Sequence, residues 1–289
     1  MFEFLRSLPP VIVPLFVIAT MLNVGLTQKL ADILGHLREW PFVVRMLLAN
    51  FVLVPLVMVL LLRLVPFSPG LEAGLLIFAL CAGAPFLIKL TQLSGHDLAL
   101  GAATMLLLIV VTVVYLPLVL PLLLEGATVD AWGIARTLLL QLIVPIAVGM
   151  LLVQFLPGLS RAAQPWVGRA GNLLLYLVLG VTLIGYLPDM LEIVGTGAIL
   201  VTVAFVLIAF GIGYVLGGGR GREDHLQDVG GLGTAQRNTA AGLIIATQNF
   251  SDPDVLVMMT VANALGLILL LFIAKRLSRD NEIEIDPVV

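Results

Sequence analysis

Between residues 229 and 250 runs an apolar stretch long enough to cross a lipid bilayer, and near its middle it carries a full positive charge, Arg237. About 20 apolar residues span a hydrocarbon layer of about 30 Å. A guanidinium at such depth costs about 2.5–3.5 kcal/mol on insertion scales. Gly230, Gly231 and Gly233 lie just ahead of the charge. Arg237 sits about eight residues in, or roughly 12 Å at 1.5 Å per residue, which makes snorkelling to water hard. Glycine-interrupted helices with buried charge persist in membranes where the break lines a cavity or packed protein. The segment therefore predicts a broken membrane helix that holds something polar.

The rest of the chain fits that environment. Of its 289 residues 60% are hydrophobic and 11% charged, and the mean hydropathy is +1.13. Soluble domains carry about 25% charged residues. Nine candidate spans follow, at 8–26, 41–62, 73–93, 98–124, 137–156, 170–187, 193–216, 229–250 and 255–274. The fold class predicted is an all-α polytopic membrane protein, with residues 1–275 as one transmembrane domain. Residues 276–289 form a cytoplasmic tail, polar and acidic from Ser278 (Asp280, Glu282, Glu284, Asp286), expected to be disordered. Residues 1–6 run into apolar sequence with no small-residue cleavage site, which reads as a retained first helix. Cys81 is the only cysteine, so no internal disulfide forms. The lipid bilayer is the expected surrounding, and nothing points to nucleic acid, to a metal or to a cofactor.

Basic residues set the orientation. Alternate loops, counted from the first, hold Lys29 and Arg38, then Arg161, then Arg220 and Arg222, with Lys275, Arg276 and Arg279 at the end. The opposite loops hold Arg6 and Arg63 together with Glu125, Asp130, Asp189, Glu192, Asp252 and Asp254. The positive-inside rule puts the first set in the cytoplasm, the N-terminus outside and the C-terminus inside.

The third span is also interrupted. It reads Cys81-Ala82-Gly83-Ala84-Pro85-Phe86-Leu87-Ile88-Lys89. Proline removes a backbone donor and crowds the preceding turn, so Gly83 and Pro85 break the helix. Suppose the last five spans form one repeat (137–275) and the first four a second repeat lacking its first helix (8–124). Spans three and eight then become equivalent and run in opposite directions, the arithmetic of inverted repeats whose paired broken helices make a binding site.

These residues resemble the bile acid:sodium symporter family over essentially the full length. Met21-Leu22-Asn23-Val24-Gly25-Leu26 resembles the family's first-helix ending, and Asn50-Phe51-Val52-Leu53-Val54-Pro55 its Gln-x-x-x-x-Pro helix. Cys81-Ala82-Gly83-Ala84 is similar to its Cys-Pro-Gly-Gly entry, and residues 233–238 to its Glu-x-Gly-x-Gln-Asn stretch. The resemblance implies a panel domain and a core domain, with two broken helices crossing beside two sodium sites.

The departures concern the ion. Pairing without gaps from Cys81 puts Leu87 and Ile88 at the family's sodium-binding Ser-Asn pair, and Gly101 and Met105 at its hydroxyl ligands. Gly233 stands at the shared glutamate, Arg237 at a glutamine and Asn50 at another glutamine. Sodium, a hard cation, wants several oxygens. A site without its carboxylate and with a guanidinium repels it. Arg237 and Lys89 would then supply the positive charge in covalent form.

The expected function is secondary transport of a small or amphipathic organic anion by alternating access. The alternatives are a sodium- or proton-coupled symporter of the same fold, or a uniporter. The expected substrate-binding residues are Arg237, Asn238, Gln236, Lys89, Asn50, Thr234 and Pro85. Lys89 lies about five residues from Ser94, so its stem also reaches the interface by snorkelling. Arg45, four residues into its span, reads as a snorkeller. Asn23, Gln141, Gln248, Asn249 and Asn263 fit helix–helix hydrogen bonding, which is worth under about 1 kcal/mol each. Enzymatic chemistry finds no support. The sequence holds no His-Glu-x-x-His, P-loop or dinucleotide motif, and His36, His96 and His225 fall in loops.

Overall fold

The computed structural model describes residues 2–96, 98–124, 130–218 and 224–284. Glu125, Arg220, Arg222 and Asp286, invoked above, lie outside them. Every described element is helical, apart from one isolated antiparallel bridge between Ala82 and Arg237. Lipid offers no hydrogen bonds, so each apolar stretch satisfies its backbone internally as a helix.

Among the described residues, seven helices are long and apolar enough to cross a membrane: Pro9–Thr27, Trp40–Leu64, Leu98–Leu123, Ala131–Phe155, Pro157–Gly185, Ala198–Gly218 and Pro253–Ser278. The other two expected spans are each split. The third becomes Pro69–Leu80 and Leu87–Leu93, and the eighth becomes Asp224–Ala235 and Thr239–Asn249. No half is long enough alone: 12 residues rise about 18 Å.

Two boundaries differ from the sequence expectation. The sixth span begins at Pro157 rather than near residue 170, because proline at the first helical position lacks only a donor that has no partner there anyway. The last helix continues past Ser278 to Glu284, where the acidic composition predicts disorder.

Two long helices contain a π-turn, Ala49–Leu53 and Leu139–Ile143. Each is followed by Val-Pro, at Val54-Pro55 and Val144-Pro145. The proline ring crowds the carbonyl four residues back, and the wider turn makes room for it.

The helices pack in two groups. Pro9–Thr27 lies along both Ala131–Phe155 and Pro157–Gly185. The first of these contacts is close: a Cβ on Gly25 would fall 2.2 Å from the Ile146 carbonyl oxygen. In the second group Ala198–Gly218 packs on Asp224–Ala235, and Pro253–Glu284 on Pro69–Leu80 and Thr239–Asn249. Thr239–Asn249 also packs on Pro9–Thr27 and so touches both groups.

Candidate functional site at the two helix breaks

Residues 81–86 separate the halves of the first broken helix. Gly83 has φ +79°, and a Cβ there would meet the Ile109 backbone nitrogen at 2.4 Å. Only glycine fits both the left-handed conformation and the gap. Pro85, half-buried, closes the break. The carbonyls released from the helix find partners. The Thr112 hydroxyl donates to the Ala82 oxygen at 3.1 Å. The Asn238 backbone N–H donates to the Cys81 oxygen at 2.7 Å, and Asn238 Nδ2 to the Gly83 oxygen at 2.7 Å.

The second break lies a few residues later than its glycines suggest. The helix runs through Gly230, Gly231 and Gly233 to Ala235, and only residues 236–238 leave it. Those glycines serve packing: a Cβ on Gly213 would fall 2.3 Å from the Gly230 oxygen, and one on Gly230 would fall 2.7 Å from the Gly213 oxygen. Asn238 restarts the helix as its N-cap, accepting from the Ala241 N–H at 3.0 Å. One asparagine therefore starts a half-helix with its oxygen and holds the opposite break with its nitrogen.

Arg237 bridges the two breaks and is 1% exposed. Its Nη1 donates to the Ala79 oxygen at 3.2 Å and its Nη2 to Asn50 Oδ1 at 2.8 Å. Asn50 Nδ2 donates to the Met46 oxygen (3.0 Å) and to Thr234 Oγ1 (3.1 Å), which fixes which way its amide points. Asn50 lies in the π-turn that Pro55 enforces. Arg237 Nε and Gln236 Oε1 are buried without a hydrogen-bond partner, and among the described residues no carboxylate pairs with the guanidinium. Asn50, Thr234, Gln236, Arg237 and Asn238 thus cluster in one buried polar patch. Lys89 does not join it: its ammonium is exposed and donates to Gln92 Oε1 at 3.1 Å.

Hydrocarbon fills the position of a carboxylate at 233. A Cβ on Gly233 would sit 3.2 Å from a Leu87 methyl and 3.3 Å from the Thr104 methyl. A Cβ on Gly101 would fall 2.4 Å from Thr91 Oγ1, so Thr91 takes that volume. Met105 is fully buried. Asn50 Oδ1 and the Ala79 carbonyl are engaged by the guanidinium, while Thr104 Oγ1 and Gln236 Oε1 are buried without a hydrogen-bond partner.

A second polar contact was not foreseen from the sequence. His96 Nε2 lies 2.7 Å from Asp228 Oδ2, with side chains 9% and 6% exposed. His96 follows Gly95, whose φ of +79° ends the Leu87–Leu93 half-helix. The His96 N–H donates to the Thr91 oxygen and the Gly95 N–H to the Gln92 oxygen, a Schellman ending. Gly95 behind an apolar run was the available signal. Near the other end of the second broken helix is a cavity of about 200 Å3, lined in part by Arg6, Pro9, Tyr186, Thr247, Phe250 and Asp252. Arg6 pairs there with Asp189 and stacks over Tyr186, 4.9 Å from the ring centre. It lies between the N-terminal end of Pro9–Thr27 and the C-terminal end of Thr239–Asn249.

The two broken helices thus meet over a group of buried polar side chains. The family profile of the sodium bile acid symporters matches residues 14–216, and the chain belongs to that family. The matched region contains Asn50, Pro85 and Lys89 and stops short of Arg237. Similar proteins include two from Arabidopsis thaliana. One is the probable sodium/metabolite cotransporter BASS5, chloroplastic, 26% identical over 243 residues (81% of this chain, 60% of that protein). The other is the probable sodium/metabolite cotransporter BASS3, chloroplastic, 27% identical over 229 residues (78% and 53%). The probable sodium/metabolite cotransporter BASS2, chloroplastic, of Oryza sativa subsp. japonica is 25% identical over 248 residues (84% and 58%). The chain spans at most 60% of the length of these relatives.

Proposed function

We propose that this transporter carries a small organic anion by alternating access and without sodium coupling. The observation that carries the reading is the Arg237 guanidinium, buried at the meeting of the two breaks and, among the described residues, balanced only by the Asn50 amide and the Ala79 carbonyl. An uncompensated guanidinium in low dielectric favours a bound anion, and arginine can grip one with two parallel hydrogen bonds. Asn50, Thr234, Gln236 and Asn238 hold and orient it, Pro85 keeps the break open, and Lys89 adds positive potential from the exposed side.

The seven long helices and two broken ones make nine crossings, with the N-terminus outside. The group around Pro9–Thr27 acts as the panel and the group around the breaks as the core, related by inverted repeats at residues 8–124 and 137–275. Arg237 is closed off in this state, so the anion reaches it when panel and core move apart. Uptake by reconstituted vesicles tests the reading. A panel of labelled mono- and dicarboxylates is supplied with choline in place of sodium. Saturable uptake unchanged by the replacement is expected, and a tenfold drop overturns the reading.

A further inference from the structure

Helix Pro157–Gly185 is the least buried of the seven long helices. One face of it is exposed along its length. Toward Gly185 that face presents Leu173, Leu177 and Ile184, a surface suited to lipid tails. Toward Pro157 the same face turns polar, with Trp166, Arg169 and Asn172 at three-residue spacing, all exposed. Residues three apart are neighbours on a helix surface. The Arg169 guanidinium lies over the Trp166 ring, 5.3 Å from its centre, so it leans toward the helix N-terminus. Arg169 lies 16 positions before Gly185, about 24 Å at 1.5 Å per residue. With the reach of its side chain, the guanidinium stands near the edge of a hydrocarbon layer of about 30 Å. Tryptophan settles at that level, and arginine stems snorkel to it. Asn172 sits one turn deeper, and its short side chain cannot snorkel as an arginine stem does.

We propose that Trp166, Arg169 and Asn172 form a binding site for the headgroup of an anionic phospholipid. Arg169 grips the phosphate with paired N–H donors, the indole lies beside it, and the Asn172 carboxamide donates to an ester carbonyl of the glycerol. Leu173, Leu177 and Ile184 carry the acyl chains. The positive charge is not neutralised within the protein wall: neither this helix nor Pro9–Thr27 and Ala131–Phe155, which pack on it, contains an Asp or Glu. Snorkelling to water would account for Arg169 alone. It leaves Asn172 facing hydrocarbon, where an unpaired amide is costly. A second copy of the chain fits this face poorly, because a two-fold contact sets Arg169 against its own like charge with no carboxylate between. In the orientation proposed above the site lies in the cytoplasmic leaflet, where each basic residue favours anionic lipid by about fivefold.

The test uses Trp166 itself as the reporter. Trp40→Phe together with Trp132→Phe, both exposed positions, leaves Trp166 as the one indole of the chain. This parent protein is reconstituted in mixed bilayers of phosphatidylglycerol and phosphatidylcholine in which one lipid or the other carries brominated acyl chains. Bromine quenches the fluorescence of Trp166 in proportion to the occupancy of the adjacent lipid position. Phosphatidylglycerol should be favoured about fivefold over phosphatidylcholine. Arg169→Gln should remove the preference, with quenching by brominated phosphatidylcholine retained because Trp166 still faces lipid. Arg161→Gln removes the same charge from two turns further toward the N-terminus, also exposed, and should keep most of the preference. Equal quenching by the two lipids in the parent protein overturns the proposal, as does a preference that survives Arg169→Gln. An equal loss in both variants overturns it too, since that is the response of diffuse surface charge. So does the absence of quenching by either lipid, the result if a second copy covers Trp166.

Discussion

Asn50 and Arg237, 187 positions apart, are joined by a 2.8 Å hydrogen bond from Nη2 to Oδ1. The asparagine can offer that oxygen because its nitrogen is held by Met46 and Thr234. Asn50→Leu leaves a charged donor unsatisfied in the interior and should destabilise the protein by about 2–3 kcal/mol, read by thermal melting in detergent. Asn50→Asp keeps the shape but neutralises the guanidinium. It should retain the fold and lose at least tenfold in anion uptake. Wild-type uptake by Asn50→Asp would show that the positive charge is not used.

Arg237→Gln tests the charge more directly. Glutamine can still reach one of the two acceptors, so the stability loss should stay within about 1–2 kcal/mol. Anion binding, followed by thermal shift with the same carboxylates, should be abolished. Sodium dependence should not return with this single change, since Leu87 still fills the space beside Gly233. Unchanged anion affinity in the variant would make Arg237 a purely structural charge.

Gly83 and Gly95 share a φ of +79° but not their surroundings. A Cβ at Gly95 meets nothing within 4 Å, whereas one at Gly83 meets backbone at 2.4 Å. Gly95→Ala should therefore cost only backbone strain, about 1 kcal/mol, and Gly83→Ala substantially more, with loss of folded protein on size exclusion. Equal melting temperatures for the two variants would contradict the close approach at the first break.

The proposed orientation is checked by labelling single cysteines at Arg6 and Ser278 with an impermeant reagent on intact cells. Label should reach residue 6 from outside and residue 278 only after permeabilisation. Access to both from one side rules out nine crossings.

Much of this was legible in the sequence, for identifiable reasons. The depth of Arg237 follows from counting residues, and the first break from Gly83 and Pro85. The second break was misplaced because glycine in a membrane helix has two uses. Gly230 serves close packing against Gly213, while Asn238, an N-cap, sets where the helix restarts. Lys89 was grouped with Arg237 from its nearness to the first break, but seven residues of half-helix turn it outward. The resemblance located Asn50; the bond to Arg237 needed coordinates. His96 and Asp228, 132 positions apart, each read as a loop residue, and no local pattern marks such a pair.

The single bridge between Ala82 and Arg237 has a mechanical consequence. Backbone pairing, the Asn238 clamp and the guanidinium tie all act within a few residues, where the four half-helices have their free ends. Pulling any half-helix out of line would break several hydrogen bonds at once in a medium with no water to replace them. The crossover therefore behaves as a riveted joint. It can tilt or slide as a unit, and the compliance that opens one side and then the other has to reside in the contacts around it.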